Sequence, residues 1–246
     1  AWLVVMFRTP PKNGTGPLPN HRSESQRHRK DKRIQRMKLY DFGPAANSKR
    51  VRMFLAEKGL KLLTVELNVR DDEQFKEPFT SMNPFHCVPF LELDDGTVIA
   101  ESISVCRYLE ELHPEPSLFG RTSAERGIID MWTRRVELDG FLPLLHATRN
   151  DMPLFAGRVV PGTRTDLAQL PAMVERGQEM AHVFFARLEP HMQDNEFIAG
   201  ANVSNADITA WFVVNMANRF KMGIGERYPG IQRWHTMFSA RPSTEA

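Results

Sequence analysis

The 246 residues carry 32 Lys/Arg against 30 Asp/Glu, and 41% of them are hydrophobic, a length and make-up that suit two modest domains with cores of their own. The formal net charge of +2 is unevenly placed. Residues 1–36 hold nine Lys/Arg and two acidic residues, so the remainder is net acidic and lacks the basic face expected of a nucleic-acid-binding body.

Two cysteines, Cys87 and Cys106, are too few for a disulfide framework, and no CxxC or Cys/His cluster offers a metal site. A reducing, cytoplasmic setting is expected, with no metal, nucleic acid or membrane among the partners. The apolar run Ala1–Phe7 is too short for a membrane span and lacks the flanks of a signal peptide. Residues 1–36 show no sustained period, and Pro10–Pro19 holds four Pro and two Gly. They read as a disordered basic leader or an added extension, the sharper reading being a basic targeting or membrane-surface arm in His21–Arg36.

Regular patterning opens at Met37. Lys38–Phe42 reads as a strand, followed by a loop at Gly43-Pro44-Ala45-Ala46 and then a helix. In that helix Asn47 and Ser48 are start residues, Val51, Phe54 and Leu55 form an apolar stripe, and Gly59 is the stop. Leu62–Leu67 is a second strand, and the strand, crossover helix, strand order implies a parallel pair with a right-handed connection. Beyond a polar connector, Val88–Leu93, Asp94-Asp95-Gly96 and Thr97–Ala100 form a hairpin with a DG turn. Glu101-Ser102 then opens a helix carrying Val105, Cys106, Leu109 and Leu112.

This order fills a small α/β domain over residues 37–113. Residues 114–120, with Pro114, Pro116 and Gly120, form a linker, and residues 121–246 read as an all-helical domain. One helix is marked by Ile128, Ile129, Trp132 and Val136, another by Met173, Gly177, Met180, Phe184 and Leu188. A third opens near Ser204 with Ala206, Ala210, Trp211 and Val214, and a last one spans Tyr228–Ala240.

Three features carry chemistry. Pro89 stands where a strand should begin, which suits either a trans proline starting an edge strand or a cis Val88-Pro89 bond. The cis form would turn the Val88 N–H and C=O outward to pair with an extended peptide. Glu101-Ser102 at a helix start either caps the helix or holds an amino-acid head group, with the carboxylate at the N–H groups and the ammonium at Glu101. The loop Ala45–Arg50 places Asn47 and Ser48 at another helix start, as caps or as donors to a thiolate. Lowering a thiol pKa from about 8.5 by about two needs about 2.7 kcal/mol of preferential thiolate stabilisation.

Taken in order with their neighbours, these pieces resemble the cytosolic glutathione S-transferase family over residues 37–243. The matching segments are Met37-Lys38-Leu39-Tyr40, Asn47–Arg52, Asn83-Pro84-Phe85 with Val88-Pro89, and Glu101-Ser102 with Arg107-Tyr108-Leu109. Late in the chain they are Phe197–Gly200 with Val203–Ile208, and Tyr228–Ile231 with Trp234 and Arg241-Pro242-Ser243. The resemblance implies a thioredoxin-like N-terminal domain followed by a helical-bundle C-terminal domain. It gives Val88, beside the structural Pro89, to the cysteinyl part of glutathione, and Glu101 and Ser102 to its γ-glutamyl end. Ser204 and Asp207 match the family's helix-capping box, a structural role that the S-x-x-D spacing supports independently.

At the thiol the family pattern changes, because Ala45 stands where many classes carry a catalytic Ser or Cys. Bacterial members similar to the nu class place an Asn two residues later, matching Asn47, and a Gln before a Phe, matching Gln74-Phe75. Asn47 is therefore expected to stabilise the thiolate, assisted by Ser48 or a backbone N–H, with Tyr40 as a rival and Gln74 as a further glutathione contact. Cys87 replaces the usual Lys or Gln, either as a small hydrophobe or as a redox-active thiol, and His86 could replace the missing polar contact. Trp132, Phe141 and Trp211 face either the second substrate or the core. The implied activity is conjugation of glutathione, a co-substrate with no further cofactor, to small hydrophobic electrophiles by a homodimer. A glutathione-dependent disulfide or peroxide reductase is the nearest rival, and a non-catalytic binding or scaffold protein the rival of another class.

Overall fold

The computed structural model describes residues 36–246. The expected leader therefore lies, apart from Arg36, outside the described residues. Strand β1 (Lys38–Asp41), helix α1 (Ala46–Lys58) and strand β2 (Leu63–Glu66) make the first unit, with β1 and β2 parallel and Lys38 opposite Leu63. A connector containing the short helix α2 (Phe79–Met82) leads to the hairpin of β3 (Phe90–Glu92) and β4 (Val98–Ala100), then to α3 (Ser102–Leu112). The sheet order is β2-β1-β3-β4, and β3 runs antiparallel to β1 with Leu39 opposite Leu91.

Gly59 ends α1 in the left-handed conformation (φ 63°, ψ 27°), and the Leu60 N–H returns to the Leu55 carbonyl at 2.9 Å. The start of α1 corrects the sequence reading. Ala45 is the extended N-cap and supplies no side-chain cap, so Asn47 and Ser48 lie within the first turn instead of capping it. Their side chains are thereby freed for other partners.

Helix α4 (Ser123–Arg135) opens on a capping box of Thr122 and Glu125 and passes through a π-helical segment, Val136–Phe141, into α5 (Leu142–Asp151). Helices α6 (Pro171–Asp194), α7 (Asn205–Arg219), α8 (Ile224–Arg227) and α9 (Pro229–Ser239) complete the second domain. Residues 152–170 depart from the all-helical expectation. Apart from one 3-10 turn at Pro153–Phe155 they are irregular, since Pro153, Gly157, Pro161 and Gly162 interrupt any helical run.

One buried hydrophobic cluster runs through both domains, from Leu39, Phe54 and Leu109 to Phe141, Phe185 and Trp234. Ile128, Met173 and Met180, which marked apolar faces in the sequence, are instead exposed. Polar ties reinforce the junction. Arg241 donates to both oxygens of Glu57 on α1, at 2.8 and 2.7 Å, and Ser243 Oγ donates to Glu57 at 2.6 Å. Lys58 pairs with the buried Glu110 and donates to the carbonyls of His113 and Pro116, fastening the linker to α1. No described helix is long and apolar enough to cross a membrane.

Candidate active site

Arg50, on the first turns of α1, is only 2% exposed. Its Nη1 donates to Asn47 Oδ1 at 3.1 Å and to Ser102 Oγ at 2.8 Å, so one guanidinium links the starts of α1 and α3. The Glu137 carboxylate lies 3.9 Å away, and the guanidinium carbon sits 4.8 Å from the centre of the Phe141 ring. Burial pulls the Arg50 pKa down, while Glu137, Cys106 and Glu101 oppose this. Guanidinium only donates, so the Asn47 atom that faces it must be the carbonyl oxygen. The Asn47 NH₂ group is thereby left to donate elsewhere.

Ser48 is fully buried, and its Oγ accepts from the Phe42 N–H at 3.2 Å, closing the β1–α1 loop. With no exposed surface, its hydroxyl is less open to an incoming thiol than a backbone N–H of the same turn, the other expected assistant. The first N–H groups of α1 have no intrahelical acceptor and remain as the backbone donors of that turn. Tyr40 is committed elsewhere: its hydroxyl donates to Glu92 Oε2 at 2.8 Å, and burial, then Glu92, push its pKa up to about 12.

The Val88–Pro89 peptide is cis. The ladder of β3 begins only at Phe90, so Val88 stands outside it. Asn83 shapes the approach, its Nδ2 donating to the Cys87 carbonyl at 2.9 Å and its Oδ1 accepting from the Phe85 N–H at 3.2 Å. Glu101, exposed and at φ 68°, is the N-cap of α3, while Ser102 is 4% exposed. Gln74 is buried, and its Oε1 has no hydrogen-bond partner among the described residues. His86 Nδ1 lies 3.1 Å from the Gln74 carbonyl, tying this residue to the cis-proline loop.

Burial, then the Glu101 carboxylate, raises the Cys87 pKa against the opposing effect of Arg149. A raised pKa lowers the share of thiolate, the form that attacks. Trp211 donates to Ser239 Oγ at 2.9 Å, and Lys49 Nζ lies 5.1 Å from the centre of its ring. Trp132 lies tilted against His191, at 4.3 Å between ring centres and 31° between planes. Ser204 and Asp207 belong to a separate cluster inside the helical domain. There Asp207 accepts from the Ile198 N–H at 2.8 Å, the Ser204 N–H at 2.9 Å and Trp234 Nε1 at 2.9 Å.

Two family models match the chain, the glutathione S-transferase N-terminal domain over residues 46–112 and the C-terminal domain over residues 151–242. Glutathione S-transferase 2 of Saccharomyces cerevisiae is 30% identical over 217 residues, covering 87% of this chain and 91% of that protein. This chain belongs to the glutathione S-transferase family. The crystal structure of a glutathione S-transferase domain-containing protein from Marinobacter aquaeolei VT8 superimposes with a TM-score of 0.76 at 31% identity, over 84% of this chain and 98% of that one. That of the beta-etherase LigF from Sphingobium sp. strain SYK-6 gives 0.73 at 25% identity, over 86% and 98%. The transferase thus has a thioredoxin-like N-terminal domain with a small mixed sheet and a helical C-terminal domain, and it is an enzyme of glutathione chemistry.

Sequence reasoning missed Arg50 and Glu137 in this transferase. The available signal was a cation at the third position after Asn47, set among Val51, Phe54 and Leu55 on the face that α1 buries. A charge on an apolar stripe is a buried charge in need of a partner.

Proposed function

We propose that this transferase conjugates the thiolate of glutathione to small hydrophobic electrophiles. The γ-glutamyl end would lie at the start of α3, its ammonium on Glu101 and its α-carboxylate on the N–H groups and hydroxyl of Ser102. The cysteinyl backbone would pair with Val88, and Gln74 would border the peptide. The sulfur would meet the Asn47 NH₂ group and the N–H groups that open α1. The thiol proton leaves to solvent. The sulfur lone pair then attacks the electrophilic carbon, and the bond to the leaving group breaks with its electron pair.

The observation that supports this reading is the shared guanidinium of Arg50, which sets Asn47 and Ser102 on one rim of the first domain. It also fixes the Asn47 amide as a donor on its free side, the polarity that a thiolate requires. A homodimer is part of the same proposal.

Product analysis with glutathione and an activated aryl halide tests the function. A thioether conjugate supports it. Glutathione oxidised to its disulfide as an added disulfide or peroxide is reduced, with no conjugate, would replace it by the reductase reading. Failure to bind glutathione at millimolar concentration would leave a scaffold.

A further inference from the structure

A cationic strap crosses from the helical domain onto the first domain. Residues 152–170 join α5 to α6 and are fastened at the base: Gln169 Nε2 donates to the carbonyls of Arg149 at 2.8 Å and Met152 at 2.7 Å, and the Leu170 N–H donates to Asn150 Oδ1 at 2.9 Å. Midway, the strap rests on the cis-proline loop. A Cβ at Gly162 would collide with the Phe85 carbonyl and stand 2.8 Å from Cys87 Sγ, so only glycine allows this approach. Arg158 donates to the Val69 carbonyl at 3.2 Å, and Arg158 and Arg164 converge on Asp72.

Arg149 differs from these two cations. Its Nη1 donates to the Arg158 carbonyl, and its guanidinium carbon lies 4.7 Å from the centre of the Phe155 ring. Its Nε is buried and has no hydrogen-bond partner among the described residues. Among the described residues no carboxylate pairs with it; burial, and then Arg158, lower its pKa against the opposing effect of the Cys87 thiol, and Cys87 in turn feels both Glu101 and Arg149. Cys87 immediately precedes Val88. The rim around the cis peptide therefore carries an acid, Glu101, and an uncompensated guanidinium, Arg149, both within electrostatic reach of the same thiol. Glutathione has matching charges, an amino-acid head at one end and a lone carboxylate at the other. A half-buried cation without a counter-ion is costly, and a bound carboxylate removes that cost.

We propose that Arg149 receives the glycyl carboxylate of glutathione, so that the helical domain supplies a charge that position 87 of the first domain does not. This rests on the glutathione reading above. It makes Arg149 a specificity-determining residue for the terminal carboxylate and the strap its scaffold.

Titration calorimetry of the wild type and R149Q with glutathione and its glycyl monoethyl ester, which lacks only that charge, tests the assignment. The wild type should prefer the acid by roughly 10- to 100-fold, the range of one charge-assisted contact. In R149Q the two peptides should bind within about twofold of each other, whereas R158Q, which alters a cation already paired with Asp72, should keep the preference. Equal binding of both peptides by the wild type, or an undiminished preference in R149Q, would overturn the assignment and leave the transferase reading intact. A wild type that binds neither peptide would defeat the transferase reading first. Should R149Q not fold, a crystal structure of the wild-type glutathione complex decides the matter. An Arg149 nitrogen within hydrogen-bond distance of the glycyl carboxylate supports the assignment, and a carboxylate held only by other side chains refutes it.

Discussion

Arg50 and Ser102 meet at 2.8 Å across the junction of α1 and α3, and the same nitrogen of Arg50 reaches Asn47. Two helix starts that are far apart in sequence are thus aligned by one buried cation. Arg50→Met should loosen both. Each lost bond to a charged donor is worth about 1.5–3 kcal/mol, about 3–6 for the two, and relief from burying the guanidinium offsets part of this, so urea unfolding should show a net loss of about 2–4 kcal/mol. The glutathione KM should rise more than kcat falls. Arg50→Lys should recover little, because a point charge cannot reproduce the guanidinium fork. An unchanged KM in Arg50→Met would separate the bridge from binding.

Asp207 makes stability depend on pH. It is fully buried, and burial pushes its carboxyl up to about 6 from an ordinary 3.8, against the hydrogen bonds from Ile198, Ser204 and Trp234. A raised acid binds its proton more tightly when folded. Its contribution is therefore fully present below about pH 4 and is lost as pH rises through 6. Asp207→Asn should be less stable than the wild type, because an NH₂ group then faces donors. The gap between the two should narrow from pH 4 to pH 7 by up to about 3 kcal/mol. Urea unfolding across that range measures it, and parallel curves would contradict the assignment.

Gly177 on α6 lets α5 approach closely. A Cβ there would strike the Pro143 carbonyl and stand 2.9 Å from Ala147 Cβ. Gly177→Ala should destabilise by about 1–3 kcal/mol despite the better helix propensity of alanine. Thermal unfolding that is unchanged or improved would show that the helix pair can move apart at no cost.

The two thiols should be slow to react. Burial pushes Cys106 up to about 12 and raises Cys87. Alkylation at pH 7.5 followed by mass spectrometry should label Cys87 more slowly than a free thiol and Cys106 only under unfolding conditions. Rapid labelling of Cys87 would restore it as a redox candidate.

The strand and helix order of the first domain was legible because its signals are local. The short run Lys38–Phe42 before the Gly43-Pro44 loop marked β1, the Asp95-Gly96 turn marked the hairpin, and Gly59 marked the end of α1. The irregular strap was missed although Pro153, Gly157, Pro161 and Gly162 announce it, since the apolar spacing on either side masked the break. The bond between Arg50 and Ser102 lay beyond sequence reading for a different reason. It depends on how α1 and α3 pack, and no local period encodes that distance. The burial of Ser48 is of the same kind, because its role as an acceptor for Phe42 follows from the loop's closure.

The most direct test of the account is the pKa of the bound glutathione thiol, followed by thiolate absorbance in the wild type and in Asn47→Ala. The account predicts a wild-type value about two below the free value of about 8.5, and a value at least about one higher in the variant. Identical values in the two proteins, or a wild-type thiol that titrates near 8.5, would contradict it.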